Sequence, residues 1–195
     1  MTPEPLPALV LASGSRYRVE LLTRLRLPFE AVPVDVDESA RAGESPQSLA
    51  ERLAQDKAEA GARLRPGAWV IGSDQTVDCG GRLFGKPGTL DKARAQLSAM
   101  AGQQVRFHTA VNLYRGGPIH AFAVTTLVKV RSLAADEIER YLLAEPALDC
   151  AGSFRCEGLG ISLFDTIESP DPTALIGLPL IPLAAALRRE GYRLP

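Results

Sequence analysis

A chain of 195 residues with 46% apolar content can bury a full core, as one domain or as two closely joined lobes. Its formal net charge of −1 offers no global field to nucleic acid, so any polyanion must be held by local clusters. No apolar run nears the ~20 residues of a membrane span, and the Pro-rich start at residues 1–7 lacks the pattern of a signal peptide. Ala8 to Ala12 is a short apolar run that predicts a buried strand, closed by Ser13-Gly14-Ser15. Val19, Leu22 and Leu25 then recur at helical spacing, with Ser15 in the N-cap position. A strand that passes through a small turn directly into a helix aims backbone N–H groups and the positive helix end at one point. That suits an anion, although an ordinary capped turn reads the same way. Arg18, one helical turn before Leu22, brings a guanidinium to the same end.

Phe29 to Val34 reads as a second strand running into the acidic loop Asp35-Val-Asp-Glu-Ser39. Ser45-Pro46 opens a helix, with an N-cap followed by proline at the first helical position. Its apolar stripe is Leu49, Leu53, Ala60 and Leu64. Lys57 falls inside that stripe, where a lysine either snorkels to the rim or meets an anion. Trp69 to Gly72 predicts another buried strand, leading into Ser73-Asp74-Gln75. Asp74 then stands at the C-terminal end of a strand, where open α/β sheets hold ligands; a solvated turn aspartate fits that position equally.

Gly80-Gly81 marks a hairpin turn. Gly85-Lys-Pro87 places Lys86 on a fixed, exposed turn that suits either a phosphate contact or plain solvent. Thr89 to Met100 reads as a helix stopped at Gly102, and Val105–Tyr114 and Ile119–Val130 as long strands joined at Gly116-Gly117. Ser132 heads a further helix through Leu143, and a Gly-rich stretch, Cys150 to Gly160, carries Glu157. A closing helical region, Asp171 to Arg189, is broken at Gly177 and Pro179. Early alternation of strands and helices with a long central hairpin gives an α/β class with a mixed sheet. No linker interrupts the chain, so it reads as a single domain, 1–195, any lobe division falling near Gly102.

The basic residues are 18 arginines and four lysines, and a lysine supplies a compact point charge. Two of the four, Lys57 and Lys86, lie in the stretches singled out above. Cys79, Cys150 and Cys156 lack zinc spacing, and three isolated thiols point to a reducing cytoplasm. Cys156 reads as a small packed residue, and His108 and His120 as structural or surface histidines.

Ala12-Ser-Gly-Ser15 with the basic helix that follows, Asp37-Glu38, Gln55-Asp-Lys-Ala58, Gly72-Ser-Asp-Gln75, Gly85-Lys-Pro87 and Asp171 to Leu180 occur in the order of the motifs of the Maf-like nucleotide pyrophosphatases. No one of these motifs is specific, but the ordered set is, and the chain resembles that family from Ser13 to about Pro179. The resemblance implies a mixed twisted β-sheet flanked by helices, two lobes around a central cleft, as in Maf- and ITPase-like proteins. It implies hydrolysis of a nucleoside triphosphate to the monophosphate and pyrophosphate by a homodimer; the near-neutral charge and the lack of a long apolar run predict no nucleic acid or membrane partner. Asp74 takes the place of the base that activates water. Ser13, Arg18, Lys57 and Lys86 take the places that hold phosphate, and Glu38 with Asp74 the place of a divalent cation, magnesium or manganese. For Asp171 to Leu180, a capped packing helix with a break is the better physical reading.

Tyr17, Gln75 and Glu157 resemble the subgroup that acts on 7-methyl-GTP. Methylation at N7 makes guanine cationic, which an aromatic face and a carboxylate both favour; a glutamate also accepts from the guanine N1–H and N2–H₂. Tyr17 stands where an indole is common and Arg16 where proline is usual. From sequence, Glu157 remains open to reading as a surface carboxylate and Tyr17 as a packing residue. The alternatives are a dTTP or UTP pyrophosphatase of the same family, or a non-catalytic nucleotide-binding regulator of cell division. The presence of Asp74, Lys57 and Lys86 weighs against the latter.

Overall fold

The computed structural model describes residues 6–195; residues 1–5 of the Pro-rich start lie outside the described residues. Seven strands form one sheet: β1 (Leu9–Leu11), β2 (Glu30–Ala31), β3 (Trp69–Cys79), β4 (Arg82–Phe84), β5 (Gln104–Tyr114), β6 (Pro118–Val130) and β7 (Phe164–Glu168). The helices are α1 (Arg16–Thr23), α2 (Pro46–Leu64), α3 (Leu90–Met100), α4 (Ala135–Ala144) and α5 (Leu180–Arg189), with 3-10 turns at Leu159–Leu163 and Ala174–Ile176. Strand order is β2-β1-β3-β5-β6-β7, with β4 also beside β3. β1 runs parallel to β2 and β3, and every other pairing is antiparallel. The mixed α/β class expected from the sequence is the one observed.

The sheet alternates its side chains between two differently covered faces. On one face, Leu9, Leu11, Ile71, Val111 and Leu113 pack with Leu21 and Leu22 of α1 and Leu183 and Leu187 of α5. Further along that face, Val77, Val105, Phe107 and Val128 pack with Leu97 and Met100 of α3 and Ile138, Tyr141 and Leu142 of α4. The opposite face carries α2, whose Ala50 and Ala54 meet Ala110. Close approach there depends on Gly72. A Cβ at that position would lie 2.1 Å from the Ala54 carbonyl oxygen and 2.5 Å from the Ala58 nitrogen. The missing side chain lets the α2 backbone rest on β3, and this brings Lys57 over Asp74.

One feature of β3 creates the site. β5 pairs one of its edges from Val70 to Asp78. The other edge is paired by β1 only as far as Ile71 and by β4 only from Val77. Among the described residues no strand lies beside that edge from Gly72 to Thr76, and the gap opens a crevice flanked by the turn after β1.

Several local expectations shift. Asp74 lies in the middle of an 11-residue strand, not at a strand end, because the antiparallel ladder with β5 carries on through Ser73-Asp74-Gln75. The second strand shrinks to Glu30–Ala31, since Pro33 has no N–H to give the ladder. Helix α1 stops at Thr23, and the chain leaves through tight turns to Arg26 at φ 54°. Ser15 holds the N-cap position without a capping side-chain bond; the Ser13 hydroxyl instead accepts from the Ser15 N–H at 3.1 Å. Helix α4 begins later than Ser132, with Ala134 at its N-cap position and the Glu137 carboxylate accepting from the Ala134 N–H at 2.9 Å. Strand β7 was not expected. Ser45, in contrast, caps α2 as its sequence predicts, accepting from the Ser48 N–H at 3.1 Å ahead of Pro46.

Candidate active site

The crevice beside β3 is a cleft of about 250 Å³ lined from separate parts of the chain: Ser15, Tyr17 and Arg18, then Glu38, Lys57, Asp74 and Gln75, Gly85 and Lys86, and part of the stretch from Asp149 to Glu157 (Arg155 excepted) with the Leu175–Gly177 turn. Asp74 points to the α2 side of the sheet. There the Lys57 ammonium donates to Asp74 Oδ1 at 2.6 Å and pairs with Glu38 Oε1 at 2.7 Å. Lys57 is buried despite its charge, 8% exposed, and it is compensated by these two carboxylates. Burial opposes the charge of Glu38, but the hydrogen bond and charge of Lys57, with the charges of Lys86 and Arg18, hold its carboxyl below the usual range. The loop that carries Glu38 is tied down by Arg52 of α2, which donates to the Ser39 carbonyl at 2.9 Å and to Glu44 at 2.7 and 2.9 Å.

Ser73 and Gln75 point to the other face and hold the 3-10 turn that follows β7. Gln75 Nε2 donates to the Ala174 and Leu175 carbonyls at 3.0 and 3.1 Å and to Thr109 Oγ1 at 2.9 Å. The Ser73 hydroxyl donates to the Gly177 carbonyl at 3.2 Å. Gly177, at φ 122°, occupies a backbone region open to glycine. The same carbonyl accepts from Arg18 Nε at 2.9 Å, and Arg18 Nη1 reaches the Ser13 hydroxyl at 3.5 Å. Burial lowers the Arg18 guanidinium below its ordinary value, against the opposing pull of Asp74 and Glu38. Among the described residues neither Arg18 nor Lys86 makes an ion pair. Arg18, Lys57 and Lys86 against Glu38 and Asp74 leave this part of the cleft cationic, ready for an anion.

A second group of charges lines the same cleft. Tyr17 donates its phenol proton to Asp149, at 3.2 and 3.3 Å from the two carboxylate oxygens. Glu157 lines the wall near Cys156, whose thiol donates to it at 3.5 Å. Arg16 and Arg155 pair with Asp149 and Glu157 at 3.2 and 3.5 Å from outside the lining. Tyr17 and Glu157, distant in sequence, are thus brought to one cavity. Burial pushes the thiols of Cys150 and Cys156 up to about 11 and about 12, which leaves both protonated and poor nucleophiles at neutral pH.

The family model described as "Maf-like protein" matches residues 8–190. The chain belongs to the Maf family. It is 60% identical over 193 residues to a "7-methyl-GTP pyrophosphatase" of Xanthomonas axonopodis pv. citri, covering 97% of this chain and all of that one. It is 53% identical to a protein of the same name from Burkholderia thailandensis (97% and 90% covered) and 50% identical to one from Cupriavidus pinatubonensis (98% of each).

In this Maf chain Ser13, Tyr17, Arg18, Glu38, Lys57, Asp74, Gln75, Lys86 and Glu157 all line the cleft or bond to a residue that does. Gln75 spends its amide nitrogen on the turn. Sequence reasoning overlooked Arg52, Asp149 and the Gly177 carbonyl, since the role of each depends on contacts far along the chain. Asp171 proves a packing device: buried, it accepts from the Thr173 and Ile181 N–H groups at 2.7 Å each. The histidines lie off the site, His108 on Thr125 at 3.0 Å and His120 on Glu190 at 2.7 Å. For a divalent cation, Glu38 and Asp74 are near enough to share one ammonium. Such a pair suits magnesium held by one or two carboxylates and by the phosphates of its substrate. No group of three or more His, Cys, Asp or Glu side chains arranged to hold a metal ion occurs among the described residues.

Proposed function

We propose that this protein hydrolyses 7-methyl-GTP to 7-methyl-GMP and pyrophosphate. The observation that carries the reading is the lining of the cleft, where one wall group is cationic (Arg18, Lys57, Lys86) and another presents two carboxylates and an aromatic ring (Asp149, Glu157, Tyr17). The second wall already holds cations, Arg16 and Arg155, over the Tyr17 ring and against the carboxylates. A ligand with a polyanion at one end and a cationic base at the other, such as an N7-methylated guanine nucleotide, matches both walls. The names of the relatives at 50–60% identity support the same substrate.

In this reading water attacks the α-phosphorus and Asp74 takes its proton. Lys57 occupies Asp74 Oδ1, so Oδ2 is the oxygen available to the water. The bond from the α-phosphorus to the bridging oxygen breaks, and pyrophosphate leaves. Arg18, Lys57 and Lys86 offset the growing charge on the phosphates, and the Gly177 carbonyl and Ser13 hydroxyl keep the Arg18 guanidinium in place. A magnesium or manganese ion held by Glu38 and Asp74 would add positive charge against the phosphates.

The whole chain acts as one domain, in our reading, since the cleft draws on residues from 15 to 177. We assign it to the cytoplasm, supported by three unpaired cysteines; no helix among the described residues is long and apolar enough to cross a membrane. A homodimer is supported by β6. Its outer edge is paired by β7 only from Leu127, and Pro118 to Thr126 carries no Asp, Glu, Lys or Arg to guard it.

Pyrophosphate release from a panel of 7-methyl-GTP, GTP, dTTP and UTP tests the assignment. The highest kcat/KM should belong to 7-methyl-GTP. A preference for dTTP or UTP would overturn the substrate while keeping the reaction, and tight binding without turnover would overturn the enzyme reading.

A further inference from the structure

The phenol of Tyr17 has one proton and two lone pairs, and the protein uses all three. The proton goes to Asp149, 3.2 Å from Oδ1 and 3.3 Å from Oδ2. The oxygen accepts from Arg16 Nη2 at 2.7 Å and from the Cys150 thiol at 3.3 Å. A phenylalanine or an indole at this position would make none of these bonds in this form. The connection is also long-range. Tyr17 belongs to the first turn of α1, next to Arg18, while Asp149 opens the loop that carries Glu157. Among the described residues no regular element ties that loop to α1, so the phenol bridges the helix that carries Arg18 and the loop that presents the second carboxylate.

We propose that Asp149 is a positioning residue for nucleobase recognition, acting through the Tyr17 hydroxyl. It rests on the pyrophosphatase reading above. Asp149 sets the orientation of the ring within the cleft and holds the 149–157 loop in register with α1. Arg16, which pairs with Asp149 at 3.2 Å, holds the carboxylate beside the phenol. None of these groups touches Lys57 or Asp74, so the effect falls on binding of the base and not on the chemical step.

The test is a double-mutant cycle by steady-state kinetics on 7-methyl-GTP, using Tyr17→Phe, Asp149→Ala, the two combined, and Asp149→Asn. Half of the Asp149 side chain is exposed, at 53%, so each single change should raise KM by about three- to tenfold with kcat unchanged. The double variant should be no worse than either single one, because both remove the same bond. Asp149→Asn should recover most of the loss, since its amide oxygen still accepts the phenol proton. Additive losses, an unchanged KM in Asp149→Ala, or an Asp149→Asn variant as impaired as Asp149→Ala would each overturn the proposal. Tyr17→Phe keeps the ring and its volume, so the cycle retains a folded arm if Asp149→Ala loses structure. If the parent prefers another nucleotide, the substrate reading fails separately; the cycle is then run on that nucleotide with the same criteria. If it turns over none, calorimetric Kd for 7-methyl-GTP replaces KM.

Discussion

The two groups of charge in the cleft are built in different ways. Around Lys57 the contacts are short, 2.6 and 2.7 Å, and Lys57 and Asp74 sit on the packed surfaces of α2 and β3, with side chains only 10% and 11% exposed. Around Tyr17 and Glu157 the carboxylates come from a loop, and their contacts run from 3.2 to 3.5 Å. Lys57 and Asp74 cannot move without unseating α2 from the sheet, whereas Glu38, on its loop, and the second group depend on separate and partly solvated bonds. On the proposed reading, chemistry is placed where packing fixes geometry, and choice of base where a substitution costs the fold little.

The largest expected effect falls on the packed group. Asp74→Asn keeps the size of the side chain and removes the base, so kcat should fall by roughly 10²–10⁴ while nucleotide affinity largely survives. Near-normal turnover in a folded Asp74→Asn protein would remove Asp74 from the mechanism. The two lysines should then separate by burial. Lys57→Ala leaves Asp74 and Glu38 facing each other without a cation, which should destabilise the fold, and triphosphate affinity should drop by about tenfold or more, for a charge-assisted bond of ~1.5–3 kcal/mol. Lys86 is exposed, and Lys86→Ala should cost only a few-fold, in keeping with ~0.2–1 kcal/mol for a solvated charge. Titration calorimetry with triphosphate and with the bare nucleoside checks both, since a phosphate contact spares the nucleoside.

At the looser group, Glu157→Gln removes charge assistance to the guanine edge. The ratio of kcat/KM for 7-methyl-GTP over GTP should fall by about tenfold, with kcat nearly unchanged, for a charge-assisted bond of ~1.5–3 kcal/mol. An unchanged ratio would shift base selection to other residues in the cleft. The smallest effect concerns pH. Glu38 is held below its ordinary value of 4.5 in the folded protein, so between the folded and unfolded values the unfolded chain binds more protons. Its contribution to stability is complete above 4.5 and disappears as pH falls through the folded value. Thermal melts should show Glu38→Gln slightly less stable than the parent at pH 6, with the gap closing in acid. A gap that stays constant would mean the Lys57–Glu38 pair contributes nothing through charge.

Much of this was legible in the chain itself. The short strand and turn before Arg18, the Ser45-Pro46 helix start and the Gly80-Gly81 hairpin follow from local preferences, and each lies where the pattern puts it. Lys57 stood out because a lysine interrupted an apolar stripe. The extent of β3 was not legible, because Ser73-Asp74-Gln75 has the composition of a turn and only the ladder from β5 extends the strand. Asp149 carried no local signal at all, being one acidic residue in a loop.

The sequence by itself determined which residues are candidates for the chemistry, the class of the fold and the face of α2 that turns inward, since these depend on residue type and period. Tertiary structure alone decided how they meet. The unpaired edge of β3 from Gly72 to Thr76 makes the cleft, the bare Cα of Gly72 sets the height of Lys57 above Asp74, and Tyr17 finds Asp149 across 132 positions of chain. The physical reason is range: capping, periodicity and turn chemistry act within a few residues, whereas pairing gaps and side-chain bridges exist only after the sheet has closed.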